Sequence, residues 1–278
     1  MKNLVLLLFA VITLGILTYV NPYTNMMEVD VSGQNLIGKI YTDIDFTGAN
    51  FDNTNLTNAR FIRCILSQAS FKSATCTNVI LDQCIIIDTD FTEASMQSAL
   101  ISTCTTIETK FINTDLSNAT IQSSSMIQDT FTGARLPHAT FENDLFSVDD
   151  FSHVDFSGSN FHGADLSQKN IFNSANFSHA NLNSVNLSEM VLDSIIATSV
   201  NLTNAVLDGV QIFNTNLTGA LLIGTSLSHA GLHHVNLSKA NLSNADFSYS
   251  TIDNSSIIGA LISPSTNLKG SNLQQGPS

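Results

Sequence analysis

Large apolar residues recur along this chain at every fifth position. Between Asn176 and Leu192 they fall at Phe177, Leu182, Leu187 and Leu192. A small or apolar residue stands two places before each, at Ala175, Ala180, Val185 and Met190, and the remaining positions are mostly Asn and Ser. A period of five matches neither a helix nor a flat strand. It predicts a chain that turns a corner every five residues. The large residue, taken here as the pentad centre, and the residue two before it face inward; the other three face water. One pentad cannot bury its centre alone, so successive coils must stack, as in any solenoid.

The pattern extends from Leu36 to Ile262. Centres follow one another without insertion from Leu36 to Leu166. One extra residue enters within LSQKNIF, Leu166 to Phe172, and the register resumes from Phe172 to Ile262. That is roughly 46 pentads, a repeat long enough to decide the architecture before local propensity is consulted. Only Cys76, Thr106 and Ala197 are not large and apolar at a centre. Two columns fix the coil length. Phe51, Phe71, Phe91, Phe111, Phe131 and Phe151 recur every 20 residues and continue at Phe172 after the slip; Cys64, Cys84 and Cys104 share the same interval. Four pentads therefore close one coil. At the ~4.8 Å spacing of parallel strands, the expected rod is roughly 55 Å long.

The run A-N-L-S/N-x, as at Ala180 to Ser184 and Ala240 to Asn244, resembles the pentapeptide-repeat family, and the resemblance covers Leu36 to Ile262. It implies an all-β fold, a right-handed quadrilateral β-helix. It is nearly silent on function, because that fold serves many roles. Some members resemble an acidic duplex and bind DNA gyrase. Members that dimerise through a C-terminal helix are not matched at that end, where no amphipathic helix is apparent.

The flanks differ from the repeat. Residues 4–20 form an uncharged apolar run behind Lys2, roughly 25 Å long as a helix and just short of the ~30 Å hydrocarbon core. This N-terminal hydrophobic helix over residues 1–20 reads as a cleaved signal peptide or an uncleaved signal anchor. With Lys2 before the run and Glu28 and Asp30 after it, the rod is expected outside the cytosol, exported or tethered to the membrane. A start at Met26 or Met27 would instead leave a cytosolic protein. Residues 21–35 read as a linker or N-terminal cap. Residues 263–278 read as a frayed tail in which Leu268 and Leu273 offer two more centres beyond Pro264.

Charged residues make up only 12% of the chain, with a net charge of −13. Low charge beside 43% apolar residues argues against a disordered chain, and an acidic balance argues against direct nucleic-acid binding. The repeat is most strained between Phe141 and Phe156. Asp129, Asp144 and Asp149 occupy the inward position where Ala is usual. Three readings stand: a polar column Asp129–Asp149–Lys169, a cation site from Asp144, Asp149 and Asp150, or a bulge or wet pocket that turns the acids toward water, which is favoured because a cation needs six or more oxygens. A partner-contact patch is accordingly expected at Glu142, Asp144, Asp149, Asp150 and Asp155. Cys64, Cys84, Cys104 and Cys76 read as small buried residues rather than disulfides, since in-register Cβ atoms lie slightly too far apart. All seven histidines fall one or two places after a centre and face water. Asn-Leu-Ser/Thr tripeptides, as at Asn55 and Asn186, arise from the repeat itself. No catalytic, cofactor or metal constellation is present in the sequence, so no enzymatic activity or cofactor is expected.

Two functions remain: a structural or protein-interaction rod for a protein partner, and an acidic DNA mimic that binds gyrase or a topoisomerase. A duplex of 55 Å carries roughly 32 charges, more than twice what this chain offers.

Overall fold

The computed structural model describes residues 25–274. The hydrophobic segment expected over residues 1–20 lies outside them. Among the described residues no helix is long and apolar enough to cross a membrane.

The pentad is a corner for local reasons. The residue before the centre is often Asn or Asp, and its Oδ1 accepts the amide of the residue after the centre: Asp52 to Asn50 at 3.0 Å, Ser178 to Asn176 at 3.0 Å. This Asx turn bends the chain. The second residue after the centre then enters the left-handed region, as at Asn53 (φ 56°), His179 (φ 61°) and Gly48 (φ 69°). That conformation favours Gly and Asn, which accounts for the small and polar residues there. Most corners close when the next inward amide donates to the centre carbonyl, as Ala49 does to Phe46 at 2.9 Å.

Stacking makes the coil 20 residues long. Tyr41, Phe61, Leu81, Ile101, Ile121 and Phe141 pair in parallel register, one per coil. Short strands gather into three parallel ladders. The first runs from Ile40–Thr42 to Thr140–Glu142, the second from Ile85–Ile87 to Asp165–Gln168, and the third from Val191–Asp193 to Asn272–Gln274. The other sides are held by single-residue bridges. The expected phenylalanine column is present: Phe51 and Phe71 stack at 4.6 Å, Phe111 and Phe131 at 4.6 Å, and Phe151 meets Phe172 at 5.2 Å across the slip.

Both ends of the rod lie further out than the repeat from Leu36 to Ile262 predicts. Asn25 already bridges Asp45, and Met26 and Val31 are buried, so the stretch read as linker or cap contains about half a coil. Met26 and Val31 stand ten and five residues before Leu36, in register. At the other end Ile252 pairs with Leu273, an offset of 21 rather than 20. A second one-residue slip, around Pro264, lets the tail continue the rod instead of fraying.

The first slip is a bulge. Leu145 pairs with Asp165 but Ser147 with Gln168, so the extra residue is absorbed within one strand. Beyond it the packing loosens. A cavity of about 30 Å³ lies among Phe177, Leu182, Ala197, Leu202 and Leu217. Ala197 is the cause, a small residue at a centre. Filling it by Ala197→Val is expected to raise stability by about 0.5–1 kcal/mol, read as a higher midpoint in thermal unfolding. A lower midpoint would mean that the neighbours have no room to spare.

Candidate functional site

The three ladders create a problem that the plain corners do not have. Where a strand precedes the corner, the next inward amide does not donate to the centre carbonyl. It points up the rod without a partner in its own coil, and a buried amide left that way is costly. At eight of these corners the chain answers with a polar residue at the same position one coil later. Cys84 donates its amide to Cys104 Sγ at 3.3 Å, Cys104 to Ser124 Oγ at 3.1 Å, and Ser124 to Asp144 Oδ1 at 2.8 Å. In the second column Thr109 donates to Asp129 Oδ1 at 2.7 Å, Asp129 to Asp149 Oδ1 at 2.7 Å, and Asp149 to Asn170 Oδ1 at 2.9 Å. The third ladder repeats the device with Ile195 to Thr215 Oγ1 at 3.3 Å and Val235 to Ser255 Oγ at 2.9 Å.

This geometry corrects four expectations. The acids are not turned outward by a bulge: Asp129, Asp144 and Asp149 are buried and face the core. Asp144 and Asp149 therefore cannot belong to a partner-contact patch, since their oxygens are engaged by backbone amides within the rod. Of the five residues expected there, Glu142 is exposed and Asp150 and Asp155 are half-buried on the surface. Lys169 is not the third member of the column either. It is exposed with φ 54°, and Asn170 takes the inward place. Counting two back from the centre Phe172 would have found Asn170. Its Nδ2 also donates to the carbonyls of Phe146 and Leu166, each at 3.0 Å. The cation site fails too, because Asp144 and Asp149 sit in different columns and Asp150 faces out. No group of three potential metal ligands forms among the described residues.

Burial sets the chemistry of these acids. It pushes Asp129 up to about 7, against the Thr106 hydroxyl and the Thr109 amide that favour the carboxylate. It likewise pushes Asp144 up to about 7, opposed by the amides of Ser124 and Glu142. Asp149 rises to about 8 through burial, opposed by the Asp129 amide and aided by the Asp129 charge. On the surface partial burial acts on Asp150 in the same sense, but hydrogen bonds from Ser152 and Thr132 outweigh it and hold that carboxyl below the usual range.

The cysteines act as small buried residues, as expected, and all four are free thiols. Cys84 Sγ donates to the Phe61 carbonyl and Cys104 Sγ to that of Leu81, each at 3.3 Å. Cys76 lies apart as a centre, its thiol pushed up to about 12 by burial. The histidines face water except His233, half-buried with Nδ1 2.6 Å from Asp253 Oδ1.

The family model for pentapeptide repeats matches eight copies, over residues 24–68, 150–168, 171–209 and 211–248. These matches cover just over half of the chain. The chain belongs to the pentapeptide-repeat family. Among solved structures, this pentapeptide-repeat protein is similar to HetL from the cyanobacterium Nostoc sp. strain PCC 7120, involved in regulating heterocyst differentiation. Identity there is 20%, over 90% of this chain and 87% of that one, with a TM-score of 0.28. It is also similar to QnrB1, a plasmid-mediated fluoroquinolone resistance protein, at 16% identity over 87% and 90% with a TM-score of 0.22. A third similar structure is Rfr23 from the cyanobacterium Cyanothece 51142, at 26% identity over 42% and 86% with a TM-score of 0.21. No curated protein matches the pentapeptide-repeat chain.

Proposed function

We propose that this protein is a non-enzymatic interaction rod, exported or tethered to the membrane, that presents its flat sides to a protein partner. The observation that carries this reading is the state of the outer side chains. Short amides run in ladders along the rod, Asn181 donating to Asn160 at 2.8 Å and Asn201 to Asn181 at 3.0 Å. Such a side is rigid and almost uncharged, so a partner meets it without ordering long side chains, a cost of association that flexible surfaces carry. Of the remaining surface acids, Glu142 lies on that side, whereas Asp150 and Asp155 lie on two others, so each carries only a sparse charged landmark.

The DNA-mimic reading loses further support. The described residues hold 23 acids against 9 bases once Lys2 is set aside, and three of those acids are buried, which leaves −11 facing outward. A duplex of the rod's length carries roughly 32. Fractionation of cells expressing the full chain with a C-terminal tag tests the first reading: the tagged rod is expected outside the cytosol or with the membrane. Recovery as unprocessed cytosolic protein would sink export. In a gyrase supercoiling assay no inhibition and no protection are expected, and inhibition at micromolar protein would restore mimicry.

A further inference from the structure

The first slip does more than shift the register: it breaks the hydrogen-bonded wall of the rod. Before it, Phe161 donates its amide to Asn181 at 2.9 Å and Asn181 to Ser159 at 2.8 Å; after it, Ser174 donates to Asp193 at 2.9 Å. Between these points, among the described residues, no backbone hydrogen bond joins residues 163–172 to residues 183–191. The regular pattern would pair the amides of Leu166 and Gln168 with the carbonyls of Asn186 and Ser188. It would also pair the amide of Val191 with the coil below. All three bonds are missing. The second ladder ends at Asp165–Gln168, and the third begins one corner further on at Val191–Asp193.

The opening is a notch of about 640 Å³, with Ser167, Lys169 and Ile171 on one lip and Asn186, Glu189 and Val191 on the other. That is far above the ~10–15 Å³ that admits one water. Ile171 and Val191 are 44% and 54% exposed on its rims. Behind it lies the apolar cavity, lined on this side by Phe172, Leu187 and Leu192. The lower lip is thus the free edge of the strand Asp165–Gln168, and the upper lip is the bridge residue Asn186 with the turn that leads to Val191, with apolar surface beneath and charges of opposite sign at Lys169 and Glu189.

We propose that this notch docks a short extended segment of a partner protein, which enters as a parallel rung between residues 165–168 and 186–191. An unpaired strand edge is a template for another chain, and strand addition draws its affinity from the main chain and its selectivity from pockets for alternate side chains. Here backbone groups without partners stand on both lips, the amides of Leu166 and Gln168 below and the carbonyls of Asn186 and Ser188 above, so the guest bonds to the two lips at once. At ~3.3 Å per residue, three or four residues span the open stretch. The guest is uncharged and polar at its outward positions and carries one large apolar side chain to turn toward Phe172 and Leu187. A single pentad of this rod has that form. The site deepens and rests on the interaction reading, but it is read at its own amides, so its failure would leave the flat sides as the contact surface.

The probe is acetyl-Ala-Asn-Leu-Ser-Asn-amide, the sequence of residues 240–244, with the same peptide N-methylated at Leu as control. Amide exchange is followed by NMR on the full chain. Without peptide, Leu166, Gln168 and Val191 are expected to exchange at least about tenfold faster than Phe161 and Ser174, whose rungs are closed. Millimolar peptide should slow all three saturably, and the N-methylated control should not. Deletion of Lys169, which restores the 20-residue coil, should protect these amides without peptide and abolish its effect. The proposal is overturned if the three amides are already protected in the unmodified rod. It is equally overturned if the peptide leaves them unchanged, or if both peptides protect them alike.

Discussion

Phe111→Ala is expected to destabilise the rod by about 3–5 kcal/mol, the usual cost of removing a fully buried Phe side chain. Phe111 is fully buried, with Phe91 stacked 5.2 Å away on one side and Phe131 4.6 Å away on the other. Its ring is one plate in a pile, so truncation leaves a gap that neither neighbour can close without leaving its own coil. A denaturant titration followed by circular dichroism measures the loss. Because contacts in a solenoid run mainly between neighbours, the transition should also broaden, the two halves uncoupling at coil 111. A loss under about 0.5 kcal/mol, typical of surface substitutions, would mean that the ring does not pack inside.

The second large effect is on pH dependence. Asp129, Asp144 and Asp149 titrate near 7 to 8 when folded and near 3.9 when unfolded. A carboxyl whose folded value is raised binds its proton more tightly in the native state. Its contribution is therefore complete below about pH 4 and is lost as pH rises to about 8. Surface acids such as Asp43, held down by Arg63, work the other way and lose their contribution below pH 4. Stability should peak near pH 4–5 and decline toward pH 8.5. Asp149→Asn isolates the effect, because Asn170 shows that an amide fits the same column and also donates to a centre carbonyl. With each pKa unit worth ~1.4 kcal/mol, the variant should gain on the order of 2–4 kcal/mol at pH 8.5 and little at pH 4. Equal midpoints for variant and parent at both pH values would refute the buried, protonated acid.

The fold was legible because a period of five admits one solution: corners, coils and columns all follow from Phe51 to Phe151 recurring at 20. The acids were not legible in the same way. An aspartate at an alanine position is costly when burial alone is considered, and that cost argues for turning it outward. What reverses the argument is a backbone amide in the coil below, and nothing in the sequence marks which corners follow a strand and leave their amide open. The candidate patch shrank for that reason from five residues to Glu142, Asp150 and Asp155. Asn170 was hidden differently, by a one-residue slip that moved the column from Lys169 to its neighbour. The notch could not be read at all, since a slip announces a bulge but not on which side the wall parts.

The polar columns also give the rod a direction in time. Ser124 waits for Asp144, Asp129 for Asp149, and Asp149 for Asn170: each of these strand corners is completed by residues made 20 or 21 positions later. At ~5–20 residues per second a ribosome takes roughly 1–4 s to deliver that coil. During synthesis the rod therefore always ends in amides without partners, and each new coil is drawn onto the last by the bonds it alone can make. Growth from the N-terminus is thus templated one coil at a time.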